Sequence, residues 1–310
     1  MTAVAHSTRA VARERASFWT QRRRDNLVGY LFVAPALLGS IAFVLVPLAL
    51  VGWYSLNEWN VLAGTFHFVG AQNYQQLLAD EKLRDSLVAT TWFAAGLVVL
   101  NLSLALLLAV LLNQKLRGTT VFRTLFFSPV LVSLVAWTLV WQLMLQPEGS
   151  VNSLLGFFGA DGPNWLRGES TAMVSVIVVQ VIKNVGLNMV LFLAALQGVP
   201  QPLYEAAKID GAGAWTRFRR ITVPLISPTI LLTSIITIVG SLQVFAQIAV
   251  LTQGGPGTST TVLIYYLYQQ AFQFHHFGYG ATISVLLFVI VAALTLLQWR
   301  MRRKWVLHET

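Results

Sequence analysis

Six stretches of this chain are each apolar for long enough to cross a bilayer, and that leaves few folds open. A hydrocarbon core about 30 Å thick takes roughly 20 consecutive helical residues. The runs at 27–56, 87–112, 121–145, 172–197, 224–251 and 280–299 meet that length. Composition agrees: 56% of the residues are hydrophobic and 11% charged, against about 25% charged in a soluble domain. Globular water-soluble, disordered, collagenous and disulfide-framework classes are therefore excluded, and an all-α integral membrane protein of six transmembrane helices is expected. The chain has no cysteine, so disulfides, thiolate metal sites and cysteine nucleophiles are excluded too. The first run follows Arg22, Arg23 and Arg24. It is longer than the roughly 7–15 residues of a signal-peptide core, and no small-residue cleavage site follows it, so it is expected to stay in the membrane.

Six spans put both termini on one side, and the basic residues choose the side. Seventeen of the 21 lysines and arginines fall at the N-terminus, in the second and fourth loops and in the tail; they include Arg9, Arg13, Arg15, Lys115, Arg117, Arg123, Lys208, Arg217, Arg219, Arg220 and Arg300. Lys82, Arg84 and Arg167 lie on the other face, and Lys183 falls inside a span. The positive-inside rule then makes the rich face cytoplasmic, with both termini in the cytoplasm. Seven of the 12 acids fall on the outer loops. The net charge of +9 thus reports topology, and a nucleic-acid partner loses its support. Trp53, Trp59, Trp137, Trp141 and Trp165 lie near outer ends, as an interfacial aromatic belt would place them, and Trp299 and Trp305 bracket the last inner end. The expected organisation is a basic cytoplasmic segment (1–26), a six-helix transmembrane domain (27–299) and a basic cytoplasmic tail (300–310) in a multi-pass plasma-membrane protein.

The loop at 200–224 differs from the other inner connections. Pro200 and Pro202 suit a helix start, Glu205-Ala206-Ala207-Lys208 favours helix, and Gly211 with Gly213 stops it. A second short helix carries Trp215, Phe218 and Ile221 among Arg217, Arg219 and Arg220, until Pro224 opens the next span. On helical pattern alone this helix-turn-helix could equally be an interfacial amphipathic anchor.

Its residues are more specific than its pattern. Glu205-Ala206-Ala207, Gly211, Ile221 and Pro224 match the EAA loop, EAA-x3-G-x9-I-x-LP, with Val223 in place of the usual leucine. The loop resembles that of permease subunits in binding-protein-dependent ABC importers. Asp210-Gly211-Ala212, Trp215, Phe218 and Pro228 are similar to the carbohydrate branch of that family. So are Phe122-Arg123, Phe126-Phe127-Ser128-Pro129, Gly149, Asn152 and Trp165-Leu166, and so are Gly254-Gly255-Pro256, Tyr265, Tyr268, Phe272 and Gly278-Tyr279. The last set resembles the maltose- and glycerol-phosphate-type member that works beside a second, different permease.

The resemblance implies a type I importer architecture and a set of partners: a second homologous permease, two ATPase subunits and an extracytoplasmic solute-binding protein. It also implies that the EAA loop seats in a groove of the ATPase. Leu203, Ala206, Ala207, Trp215 and Phe218 would supply apolar contact there, and Glu205 and Asp210 would meet donors. Gly211 would permit the bend. No Gly-x4-Gly-Lys-Ser/Thr loop occurs in the chain, so ATP and Mg²⁺ are expected on the partner ATPase, and no cofactor on this chain. No metal-ligand spacing or catalytic set stands out; His275-His276 reads as loop surface.

Polar groups inside the spans are the remaining signal. Lys183 lies near the middle of the fourth run, where an unpaired cation costs at least about 2.5 kcal/mol, so it must face a cavity, a partner or an acceptor. Gln180, Asn184 and Asn188 form one stripe beside it, and Thr237, Ser241, Gln243 and Gln247 form a second patch on the fifth run. By the resemblance these stripes line the substrate pathway; alternatively they join helices to one another in lipid. Gly186 and Gly240 are expected as packing contacts, and Asn101 and Asn113 carry no assignment. Sugars are the expected solutes, with a glycerol-phosphate or glycerophosphodiester importer of the same family as the near alternative. An ion-coupled secondary transporter is the alternative of another class, although no Asp or Glu falls inside a predicted span.

Overall fold

The computed structural model describes residues 26, 28–60, 64–114 and 118–305, with backbone only at 60 and 301–305. Arg9, Arg13, Arg15, Arg22, Arg23, Arg24, Lys115 and Arg117, which carry much of the topological argument, lie outside the described residues. The chain divides into two units. The first holds one helix, α1 (Val28–Tyr54), apolar throughout and with none of its core window buried. The second unit runs from Ser55 to Thr310 and contains everything that follows.

This unit opens with a two-stranded antiparallel hairpin, β1 (Asn57–Asn60) and β2 (Thr65–Phe68), which pairs Glu58 with His67. A short helix, α2 (Gln72–Ala79), leads to α3 (Glu81–Leu112). Asp80 caps α3 by accepting from the Lys82 and Leu83 amides at 2.9 and 3.2 Å, which satisfies two of the four orphan donors of a helix start. That cap begins the helix ahead of the apolar run at 87–112, and draws Glu81, Lys82, Arg84 and Asp85 out of the loop and into its first turns. At 1.5 Å per residue, 32 residues give about 48 Å, more than the hydrocarbon core requires.

The third apolar run is a single span in the sequence reading and two helices in the structure. Helices α4 (Thr119–Leu131) and α5 (Leu134–Met144) meet at an angle of 102°. Pro129 sits in the last turn of α4, where it can donate no backbone bond and crowds the preceding turn. Val132 then turns extended at ψ 139°. A short α6 (Ser150–Phe157) follows, and then the long α7 (Ala172–Gln197), the most buried of the apolar helices. Its broadest contact is with α3.

Helix α8 (Gln201–Ile209) and helix α9 (Ala214–Leu225) form the helix-turn-helix expected at 200–224. The fifth span departs from expectation in its start. Pro224 lies within α9, and the chain bends 69° at Ile226 before α10 (Ser227–Leu242), whose first turn holds Pro228. It also departs in its end, since α10 stops at Gln243 and a π-helical turn, Ile248–Thr252, resumes after a break. Helix α11 (Leu263–Tyr268) and the final helix α12 (Phe277–Trp305) complete the unit.

Four helices are unbroken and long enough to cross a membrane, and six spans are reached if each bent pair counts as one. Two apolar clusters mark the ends of this unit. Leu112 at the end of α3 packs with Val199, Tyr204, Ile221 and Ile226, so the elbow of α8 and α9 lies where α3 and α7 finish. Leu83 at the start of α3 packs with Leu263, Tyr266, Tyr279 and Ile283 at the opposite end.

Candidate functional site: an exposed elbow and a polar seam

At the elbow, the order of residues dictates the turn. Pro200 is extended (ψ 125°) and Pro202 occupies the first turn of α8, where a missing N–H costs nothing. The helix ends in a Schellman arrangement: Ala212 N–H donates to Ala207 O at 2.8 Å and Gly211 N–H to Lys208 O at 3.0 Å. Gly211 adopts φ +75°, a left-handed conformation natural to glycine. Gly213 caps α9, and Trp215 and Phe218 stack at 5.6 Å.

One side of the elbow is tied to the bundle, where Tyr204 OH and Thr222 Oγ1 lie 2.9 Å apart. The other side is bare. Trp215 is 70% exposed, Ile209 87% and Leu203 43%, and Glu205, Ala206 and Asp210 are exposed. Ala207 and Phe218 are half-buried. Three large apolar side chains exposed on one short elbow make it a candidate contact surface.

The polar groups of the spans form a seam between α3, α4, α7 and α10. Lys183, 6% exposed, donates its ammonium to Pro129 O and Val132 O, both at 2.5 Å, and to Val130 O at 3.3 Å. All three carbonyls lie at the break of the third span, where Pro129 O also accepts from the Val132 amide at 3.3 Å. The Trp137 ring lies 5.8 Å from the same nitrogen.

Deeper in the seam, Asn188 Nδ2 donates to Asn101 Oδ1 at 2.5 Å and Thr237 Oγ1 at 3.2 Å, while Asn101 Nδ2 reaches Val181 O at 3.3 Å. Asn101 thereby joins α3 to α7 and α10. In the sequence its only signal is an amide in the middle of an apolar run. Thr237 and Ser241 return their hydroxyls to Thr233 O and Ile238 O within α10. Gln247 Nε2 donates to Gln180 Oε1, and Gln247 Oε1 has no partner. Asn184 is partly accessible and Gln243, at the end of α10, is exposed. Gly186 is a packing contact, since a Cβ there would collide with the Phe126 carbonyl of α4. Gly240 is not: nothing lies within 4 Å of the Cβ position.

A second cluster holds the far end, and the sequence reading passed over it. Tyr266 and Tyr279 both donate to Asp80 Oδ2 at 2.5 Å, tying α11 and α12 to the capping residue of α3. Burial by itself would raise the Asp80 carboxyl, but the bonds from Tyr266 and Tyr279 and from the Leu83 and Lys82 amides outweigh it and hold the group below the ordinary aspartate value. Elsewhere, Trp165 Nε1 donates to Asn152 Oδ1 at 2.6 Å and Arg167 to Thr252 O at 3.3 Å. Among the described residues no group of three or more His, Asp or Glu side chains could hold a metal ion.

The described residues form a helical bundle with four to six apolar helices long enough to cross a membrane and an exposed elbow at one end. Residues 101–304 match the model of the binding-protein-dependent transport system inner membrane component, and the chain belongs to that family, the permease subunits of ABC importers. The chain is 36% identical to the lactose transport system permease protein LacF of Rhizobium radiobacter, with 91% of this chain and 96% of that one covered. It is 33% identical to the trehalose/maltose transport system permease protein MalF of Thermococcus litoralis (90% and 95% covered). It is also 33% identical to the sn-glycerol-3-phosphate transport system permease protein UgpA of Salmonella typhimurium (89% and 94%). The fold is that of a chain in a bacterial alginate ABC transporter crystallised with an alginate-bound periplasmic protein, with a TM-score of 0.80 at 23% identity over 92% of this chain and 97% of that one. As a permease subunit the chain is not an enzyme, and ATP hydrolysis falls to a separate subunit.

Proposed function

We propose that this protein is the permease subunit of an ATP-driven importer for a sugar or small oligosaccharide, and that the elbow of α8 and α9 is its joint with the ATPase. The carrying observation is the exposure of Leu203, Ile209 and Trp215 on the elbow at one end of the bundle, together with exposed Glu205 and Asp210. An ATPase groove would cover the apolar face, and basic or backbone donors on its walls would meet the two carboxylates. ATP and Mg²⁺ would be held there, on the partner. Closure of two ATPase subunits would draw the elbow inward, and α7, which runs directly into α8, would carry the movement into the membrane. A second homologous permease would supply the other wall of the pathway, and an extracytoplasmic solute-binding protein would load it.

On this reading Asn184 and Gln243 offer amides to a passing solute, while Asn188, Thr237 and Ser241 hold the wall that presents them. Amides and hydroxyls suit sugars, because each solute hydroxyl taken from water needs a replacement partner. A glycerol-phosphate importer is the second reading, favoured by the likeness to the Salmonella permease. An anion would need a free cation, and Lys183 spends its donors on three carbonyls, which favours the neutral solute. The test is uptake of radiolabelled lactose, maltose, trehalose and glycerol 3-phosphate by a deletion strain carrying the wild type or Glu205→Ala. Loss of one sugar in the deletion strain, and failure of Glu205→Ala to restore it while ATPase activity persists, is expected. Unchanged uptake with Glu205→Ala would remove the joint.

A further inference from the structure

We infer that Lys183 is a positioning residue which pins the break of the third span to α7, so that movement of α7 reaches α5. The inference rests on the proposed coupling of α8 to an ATPase for its purpose, and on geometry alone for its existence. The chain turns by 102° between α4 and α5, and such a turn inside an apolar bundle interrupts the regular ladder of backbone bonds; locally, only the Val132 amide returns to Pro129 O, at 3.3 Å. Three carbonyls at the break, those of Pro129 and Val130 in the last turn of α4 and of Val132 just beyond it, converge on one ammonium. A lysine head is compact and carries three donors and no acceptor, which is the complement of three carbonyls at the negative end of a helix.

Neighbouring bonds show why the pin would transmit movement. One turn before Lys183, the Val179 carbonyl of α7 accepts from Trp137 Nε1 of α5 at 3.2 Å. Further along α5, Gln142 Nε2 donates to Val250 O in the π-helical turn at 3.0 Å. One turn after Lys183, Gly186 lets α4 approach the α7 backbone closely at Phe126. Helix α7 therefore grips both halves of the third span, and Lys183 grips the joint between them. Lys183 contributes to transport through α4 and α5, and no donor on it is left for the solute.

The absence of cysteine makes the test direct. Ser133, exposed and without a side-chain cap bond, becomes the single thiol of this chain as Ser133→Cys, and its labelling is read on this subunit's band from full-length protein assembled with its partner subunits in membrane vesicles. N-ethylmaleimide labelling of that thiol should proceed at least about fivefold faster in Lys183→Met, an apolar near-isostere, and within about twofold of the parent rate in Lys183→Arg, which keeps charge and donors. Uptake by Lys183→Met should fall through Vmax with KM held.

Equal labelling rates in Lys183→Met and its parent would overturn the inference, as would a raised KM at constant Vmax, the mark of solute contact. Should Lys183→Met not accumulate, the labelling of Lys183→Gln, with one amide in place of three donors, decides by the same rates. Faster labelling in Lys183→Met together with unimpaired coupling in elbow variants would keep the pin and discard the ATPase joint, so the two ideas fail separately.

Discussion

Replacing Gly211 separates backbone conformation from side-chain contact at the elbow. The residue sits at φ +75° with nothing within 4 Å of where a Cβ would stand. Alanine would therefore meet no steric obstacle and would carry only the cost of a left-handed backbone, about 1–2 kcal/mol. Asparagine tolerates that conformation and should cost less, and valine, β-branched, should cost more. Since about 1.4 kcal/mol is a tenfold change in an equilibrium, Gly211→Ala should lower the population of the intact bend by about 5- to 30-fold relative to alternatives that straighten it. The assay is solute uptake per ATP hydrolysed, in proteoliposomes holding the assembled importer and its binding protein. The expected ranking is glycine, asparagine, alanine, valine, with hydrolysis persisting as uptake falls. If asparagine does worse than alanine, bulk against the partner governs the site and the conformational argument is wrong. If all three variants match the wild type, the bend does not carry the coupling.

Two further perturbations probe the bonds that hold the bundle. Asn188→Leu removes the links to Asn101 and Thr237; at about 0.6–2 kcal/mol for each interhelical bond in lipid, the purified subunit should lose roughly 1–4 kcal/mol of stability, read from denaturant titration, and an unchanged midpoint would show the amide to be idle. Asp80→Asn should loosen α11 and α12 from the start of α3 and flatten the acid limb of a stability profile. The wild-type carboxyl is held below its ordinary value, so its contribution is full above the unfolded pKa near about 3.9 and drains away as the pH falls through the lower folded value. Thermal unfolding measured from pH 6 to pH 3 should show that loss in the wild type and much less of it in the variant; parallel curves would refute the assignment.

What the sequence disclosed about this protein follows the range over which each feature is determined. The elbow was legible because its causes are local: Pro202, the helix-forming Glu205 to Lys208 and the glycine at 211 act within a dozen residues, and the Schellman bonds close over five. The break of the third span also has a local cause in Pro129, yet its position and its 102° depend on what binds the carbonyls at the break, and that group is on α7, more than 50 residues away. Hydropathy counts Pro129 to Ser133 as span and registers nothing unusual. Asp80, Tyr266 and Tyr279 are joined across 186 and 199 residues, with no period to reveal them, and Asp80 alone looks like any loop acid.

Apolar surroundings require that Lys183, Asn188, Thr237 and Ser241 be satisfied, but the requirement is indifferent to whether a solute, a second subunit or the chain itself does it. In this chain the backbone and neighbouring side chains do it for all four. On the seam itself, spare capacity remains at Asn184, Gln243 and the Gln247 carbonyl, and under the proposed function those are the groups with which a passing solute would exchange hydrogen bonds.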